Sequence, residues 1–207
     1  MGLSASDIMS KVEAADTARR ASLRGYTSTR HYTVENGRFH VRAEMSVHVE
    51  VDAKGAKKFK VLSMTGPAAV RKLVFQRMLD TEKGTSTPAG QASTRISNTN
   101  YAFKLVDEMV IEGRRQYVLE AMPKAQSPVL FRGRIWVDAE AFAVVRIDGA
   151  PAKSPSFWVS KTSFVHEYTN VSGQWMAAVN RSESDIKMFG RSVTTIRYGD
   201  YNVGSGN

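Results

Sequence analysis

The sequence predicts an α+β fold: a single antiparallel half-barrel of about ten strands curled around two or three covering helices. Three observations predict it. Residues 39–51 alternate without error, with Phe39, Val41, Ala43, Met45, Val47, Val49 and Val51 apolar and the intervening residues polar or charged. A period of two sends successive side chains to opposite sheet faces. Two amphipathic helical stretches precede and interrupt the strands, with no strand–helix–strand alternation that would indicate a parallel sheet. Finally, ten strands about 4.8 Å apart make a sheet roughly 48 Å wide, whereas two helices each about 10 Å across cover less than half of it. Leaving the rest of an oily face wet is costly, at about 1.5–3 kcal/mol per large apolar side chain, so the sheet is expected to curl. Two outcomes fit the pattern: an interior filled by side chains, or an apolar cavity able to hold an apolar ligand.

The elements follow in order. Ser6-Asp7 reads as an N-cap, with Ile8, Val12 and Ala15 at helical spacing, basic Arg19, Arg20 and Arg24 toward the C-terminal end, and Gly25 as terminator; a helix is expected over 6–23. Strands fill 26–64. Asn36-Gly37 marks a hairpin, the alternating stretch is the next strand, and 52–55 turns into a third strand near 57–64. Gly66-Pro67 opens a helix over 67–83, its apolar stripe Val70, Leu73, Val74 and Met78 widened by Phe75 and Leu79. Residues 84–100 are small and polar and read as a functional or mobile loop, with room for a short helical turn.

Strands occupy 101–203. Tyr101, Phe103, Leu105, Met109 and Ile111 share one parity. Gly113 turns into a strand with Tyr117, Val118 and Leu119, ended by Pro123. Residues 130–138 and 142–148 form a hairpin across 139–141, 152–156 connects, 157–169 pairs with 174–188 around Ser172-Gly173, and Gly190 opens the last strand, 191–203. The whole chain, 1–207, reads as one domain.

Composition narrows function. There is no cysteine, which excludes disulfides, thiolate zinc sites and cysteine nucleophiles. No apolar run approaches the ~18 residues of a membrane-spanning helix. Basic residues outnumber acidic ones 29 to 20, giving a net charge of +9 and suiting an anionic partner. These charges are dispersed, as in Lys54, Lys57, Lys58 and Lys60 around a turn, where solvation explains each cluster alone. Met1-Gly2 with Ser6 fits a myristoylation pattern, but so short a motif recurs by chance; the preferred reading is a start placed after a removed leader.

Catalytic and metal chemistry finds no foothold. His40 and His48 lie on one polar face with Glu44 between them, yet eight strand residues hold them about 26 Å apart, too far to share an ion. His48 with Glu50 is an i, i+2 pair on a wet face, and His31 and His166 stand isolated. Asp107, Glu108 and Glu112 gather at a strand end. No catalytic motif is present, and no catalytic residue, metal site or cofactor is assigned. The segment 131–136 puts Arg132, Arg134 and Trp136 on one face and Phe131, Ile135 and Val137 on the other, a weak hint of a nucleic-acid platform.

The stretch Val129-Leu130-Phe131, Arg132 through Asp138 with Trp136-Val137-Asp138, and the return strand Phe142 to Ile147 resembles the LolA/LolB lipoprotein-localisation superfamily, as does the opening from Ser6-Asp7-Ile8 to Gly25-Tyr26. The resemblance spans nearly the whole chain in topology and is weak in identity. It implies a periplasmic protein, exported with a leader, whose helices form a lid over an open half-barrel that shelters acyl chains. The lipid-anchored branch needs an N-terminal cysteine, and none exists here unless it was removed with the leader. The soluble branch ties its lid with an early-strand arginine; Arg30 and Arg42 are both candidates by position, and neither matches a local motif.

The resulting expectation is a non-enzymatic carrier of lipid or lipoprotein acyl chains. Its cavity would be lined by Phe39, Val41, Met45, Val47, Val49, Tyr101, Phe103 and Leu105, with Val70, Leu73, Val74 and Met78 on the lid side. Each of these also reads as plain core, residue by residue the commoner case. Basic rim residues suit an anionic membrane surface. The alternatives are an envelope scaffold or sensor domain of the same fold that binds a protein partner and, more remotely, a basic nucleic-acid-binding β protein.

Overall fold

A computed structural model describes residues 2–85, 88–154, 157 and 159–204. Residues 86–87 of the expected loop, 155–156 of the expected connector, 158 of the strand expected to begin at 157, and Met1 of the myristoylation pattern lie outside the described residues.

Helix α1 (Ala5–Ser22) is capped two residues ahead of the expected Ser6. Ser4 is the N-cap: its hydroxyl accepts from the Asp7 N–H at 3.2 Å, and the Asp7 carboxylate accepts from the Ser4 N–H at 3.1 Å. This reciprocal box needs a hydroxyl three residues before a carboxylate, a spacing that Ser4 has and Ser6 lacks. The helix ends at Ser22, so Gly25 opens β1 (Gly25–Asn36) instead of capping α1. Glycine is required there, because at φ 117° a Cβ would lie 2.5 Å from the Val51 carbonyl oxygen.

Strand β2 (Val41–Asp52) is shorter than the alternation suggested. Asn36-Gly37 opens a four-residue turn over 37–40, closed by His40 in the left-handed region at φ 48°, so Phe39 and His40 belong to the turn. From Val41 on, the alternation holds, with Ala43, Met45, Val47, Val49 and Val51 all buried. β3 (Lys57–Thr65) follows. The second helical rod comprises α2 (Ala68–Val70), a π-helical turn (Arg71–Phe75) and α3 (Gln76–Thr85). The π turn takes in an extra residue and rotates the downstream stripe by about 100°. Phe75 and Leu79 therefore become its buried centre, while Leu73 stays exposed at the open side of the rod. Part of the expected loop is helix α4 (Pro88–Thr94).

Seven strands complete the sheet: β4 (Tyr101–Ile111), β5 (Arg114–Pro123), β6 (Phe131–Asp138), β7 (Ala143–Pro151), β8 (Val159–Val171), β9 (Gln174–Ile186) and β10 (Gly190–Val203). All ten strands form one antiparallel sheet in the order β3-β2-β1-β10-β9-β8-β7-β6-β5-β4. The last strand returns beside the first, and among the described residues β3 and β4 are unpaired edges, so the sheet is an open half-barrel. A bulge at Val106 shifts the β4 register between Leu105 and Asp107. It moves Met109 and Ile111 off the face that Tyr101, Phe103 and Leu105 share, against the single parity expected.

The register places one residue from every strand in a single row across the inner face: Leu105, Leu119, Ile135, Ile147, His166, Asn180, Ile196, Tyr32, Met45 and Met64. The row is apolar on both wings and polar at its centre. The next row repeats the pattern, with Phe164, Ser182, Thr194, Val34 and Ala43 in succession. The inner face is thus not uniformly dry. One core packs Ile8, Met9 and Val12 of α1 on Leu119, Ile135 and Val137; the other packs Phe75 and Leu79 on Tyr32, Met45, Val47 and Val49. The two rods pack on the two wings, and the middle of the sheet between these cores carries polar side chains.

Candidate functional site

The site is built where the second rod meets the middle of the sheet. Leu73, Val74, Arg77, Met78, Thr81 and Glu82 of the rod face Lys57 of β3, Asn180 of β9 and Ile196 and Tyr198 of β10 across an open-sided cleft of about 610 Å³. That is within the ~300–1,000 Å³ of small-molecule sites.

A polar latch closes one side of this cleft. Arg30, only 4% exposed, points inward from β1 because it shares parity with Tyr32 and Val34. Its guanidinium forms an ion pair with Glu82 of α3. Glu82 also accepts from the Tyr32 hydroxyl at 2.9 Å and from Lys57 Nζ at 3.5 Å. The Arg30 guanidinium lies 5.1 Å from the Tyr198 ring centre and 5.9 Å from that of Phe59. Burial alone would push the Glu82 carboxyl up, but Arg30, Lys57 and the Tyr32 hydroxyl outweigh it and hold the group below its ordinary value. Burial would also lower the Arg30 pKa; the adjacent Glu82 carboxylate overrides it, and the arginine stays charged. Lys57 is shifted down, chiefly by burial.

Beside the latch, His166 of β8 stacks on Tyr168 at 4.6 Å and on Tyr198 at 6.2 Å between ring centres. Burial lowers its pKa to about 4, against a weaker pull upward from Glu82, so the ring is neutral at pH 7. Its Nε2 is buried and has no hydrogen-bond partner among the described residues. Burial raises the Tyr168 phenol to about 12, and the Tyr198 and Tyr32 phenols are raised as well. Below the latch, a second hollow of about 540 Å³ is edged by Arg19, Arg20, Lys54, Tyr168, Trp175 and Tyr201.

The sequence-stipulated lining separates into distinct groups. Phe39 is 51% exposed in the turn over 37–40 and lies off the inner face. Val41 is half-buried at the start of β2; Met45, Val47 and Val49 are floor residues packed beneath Phe75 and Leu79. Val70, Val74 and Met78 pack against that same core, and Leu73, Val74 and Met78 border the cleft. Tyr101, Phe103 and Leu105 belong to the α1 core instead, where the Tyr101 hydroxyl accepts from the Phe131 N–H at 3.2 Å. The structure does not bring them to the cleft.

Other motifs take structural roles. Asp138 of Trp136-Val137-Asp138 is buried and accepts from Arg114 at 2.6 and 2.9 Å and from the N–H groups of Glu140 and Ala141 at 3.1 and 2.8 Å, which shapes the β6–β7 turn. Arg19 then donates to the Ala141 and Phe142 carbonyls, docking α1 on that turn. Arg146 of β7 lies over Trp136 at 5.5 Å and is held by Glu167 at 2.5 Å. His48 Nε2 is 3.9 Å from Glu50. Among the described residues no cluster of three or more His, Asp or Glu could hold a metal ion.

Sequence reasoning missed Glu82 and His166, and it read Lys57 as a solvated turn residue. For Arg30 a signal existed, since it shares the inward parity of Tyr26, Tyr32 and Val34 on the same strand.

No family model matches the chain, and no curated protein does. Solved structures do match. The chain is similar to a LolA superfamily protein from Nitrosomonas europaea over 100% of this chain and 96% of that one, at 11% identity and a TM-score of 0.45. A DUF1329 family protein from Desulfovibrio piger ATCC 29098 matches over 97% and 94%, at 13% identity and 0.47. A domain assigned to outer membrane lipoprotein sorting from Vibrio parahaemolyticus matches over 95% and 92%, at 11% identity and 0.48.

Proposed function

We propose that this protein is a non-enzymatic periplasmic carrier that holds the acyl chain of a lipid or lipoprotein in the cleft under the second helical rod. The observation that carries the reading is the cleft itself: apolar Leu73, Val74 and Met78 opposite Ile196 and Tyr198, with a buried ion pair joining lid to sheet at its edge. The acyl chain lies between the rod and β10, and its polar end faces Asn180 and the polar middle of the sheet. Methionine suits such a surface because its unbranched side chain adapts to chain length. Affinity follows buried length at about 0.8 kcal/mol per CH₂. Exchange requires Glu82 to leave Arg30, Lys57 and Tyr32, so the latch sets the opening rate.

Native mass spectrometry of gently purified protein tests the reading. Co-purifying lipid masses, displaced by added fatty acid, are the expected result. Repeated absence of such masses, together with no uptake of added fatty acid, would overturn it. An envelope scaffold that binds a protein partner is the second reading; it is favoured by Met45, Val47 and Val49, whose space is filled by Phe75 and Leu79.

A further inference from the structure

We propose that the paired hairpin tips at 37–40 and 187–190 form a docking surface for an anionic phospholipid bilayer, independent of what the cleft holds. The β1–β2 and β9–β10 turns sit side by side because β1 pairs with β10, with Asn36 opposite Ser192. The buried Asn36 side chain braces them. Its Nδ2 donates to the Phe189 carbonyl at 3.0 Å and to Ser192 Oγ at 2.7 Å, and its Oδ1 accepts from the Phe39 N–H at 3.1 Å. Phe39 and Phe189 meet with ring centres 5.8 Å apart. A Cβ on Gly190 would lie 3.5 Å from Arg38 Cδ, so the Arg38 stem crosses onto the second turn.

This braced tip presents large apolar groups to water: Phe39 is 51%, Met188 76% and Phe189 56% exposed. Phe157 is 78% exposed nearby, with Lys187 Nζ 3.8 Å from its ring centre. Scattered exposed apolar residues are ordinary; several gathered on a rigid tip mark an interaction surface. The charge identifies the occupant. Residues 37–40 and 187–190 contain Arg38 and Lys187 and no carboxylate. Among the described residues, both cations lie over aromatic rings and neither pairs with a carboxylate. Aromatic and methionine side chains projecting beside unpaired cations fit the interface of an anionic bilayer, where the apolar groups enter the acyl boundary and the cations meet phosphates. A second copy of the same tip would bring like charges together.

Flotation of the purified full chain with phosphatidylcholine vesicles, with and without phosphatidylglycerol, tests this. Binding is expected to the phosphatidylglycerol vesicles and to weaken with added salt. M188N/F189S should lower partitioning by about tenfold or more. Met188 has φ 69°, which asparagine tolerates, so folding, checked by circular dichroism, is preserved. R38Q/K187Q should remove the preference for phosphatidylglycerol. E82Q, a substitution in the latch and in neither tip, should float as the unsubstituted protein does, so failure of the cleft reading leaves this result standing. No flotation of the unsubstituted protein, or equal flotation of M188N/F189S, would overturn the proposal. So would dimerisation in sedimentation velocity that M188N/F189S abolishes, which assigns the tip to a second copy.

Discussion

Replacing His166 with phenylalanine isolates the energetic effect of burying an imidazole at the centre of the sheet. The ring stacks between Tyr168 and Tyr198, neighbours Asn180 in register, and has Glu82 as the charged group that acts on it. Burial moves its pKa from 6.5 to about 4. The unfolded chain therefore binds a proton between these values that the folded protein refuses. The group leaves stability independent of pH above 6.5, and stability is lost as pH falls from 6.5 toward 4. A shift of this size corresponds to about 3 kcal/mol. Phenylalanine carries no such proton, and it also removes a buried nitrogen without a partner, a group that costs about 1–3 kcal/mol. Urea denaturation of both proteins at stepped pH is the assay. At neutral pH the variant should equal or exceed the parent in stability. On acidification the difference should grow in the variant's favour by about 3 kcal/mol, while the carboxylates shift both proteins alike. Parallel stability–pH curves would refute the reasoning, because His166 would then titrate as an exposed histidine.

Two further outcomes follow from particular contacts. Glu82→Gln leaves Arg30 buried without a carboxylate and should cost about 3 kcal/mol, the lower end for a broken buried pair because Glu82 keeps some solvent contact. Amide exchange in α3 should quicken, and in the parent the latch should hold until pH falls below the ordinary carboxyl value of 4.5, since the folded carboxyl lies lower still. Gly133→Ala would set a Cβ 2.1 Å from the Asp148 carbonyl oxygen, between two strands that cannot part without breaking their ladder. It should destabilise by about 3 kcal/mol or more in thermal or urea unfolding.

Local chemistry made much of the architecture legible. Alternation over 41–51, glycine turns and two amphipathic stretches were enough for the ten strands and the half-barrel, because strand parity is a property of neighbouring residues. The outward Arg132 and Arg134 and inward Phe131, Ile135 and Val137 followed from the same rule. The lid stripe was legible as a stripe, but not its buried centre, since the π turn at Arg71–Phe75 rotates it. The Val106 bulge likewise split a parity that looked continuous.

The chain on its own thus determined which segments become strands and which face of each is oily, since both are set over a few adjacent residues. Only the tertiary structure decided that the oily area divides into two separately roofed wings. It also decided that His166 and Asn180 stand side by side at the centre of a ten-strand row, and that Arg30 reaches Glu82 across 52 positions of sequence. Such meetings depend on strand order and register, which arise from the return of β10 beside β1 and leave no trace in local pattern.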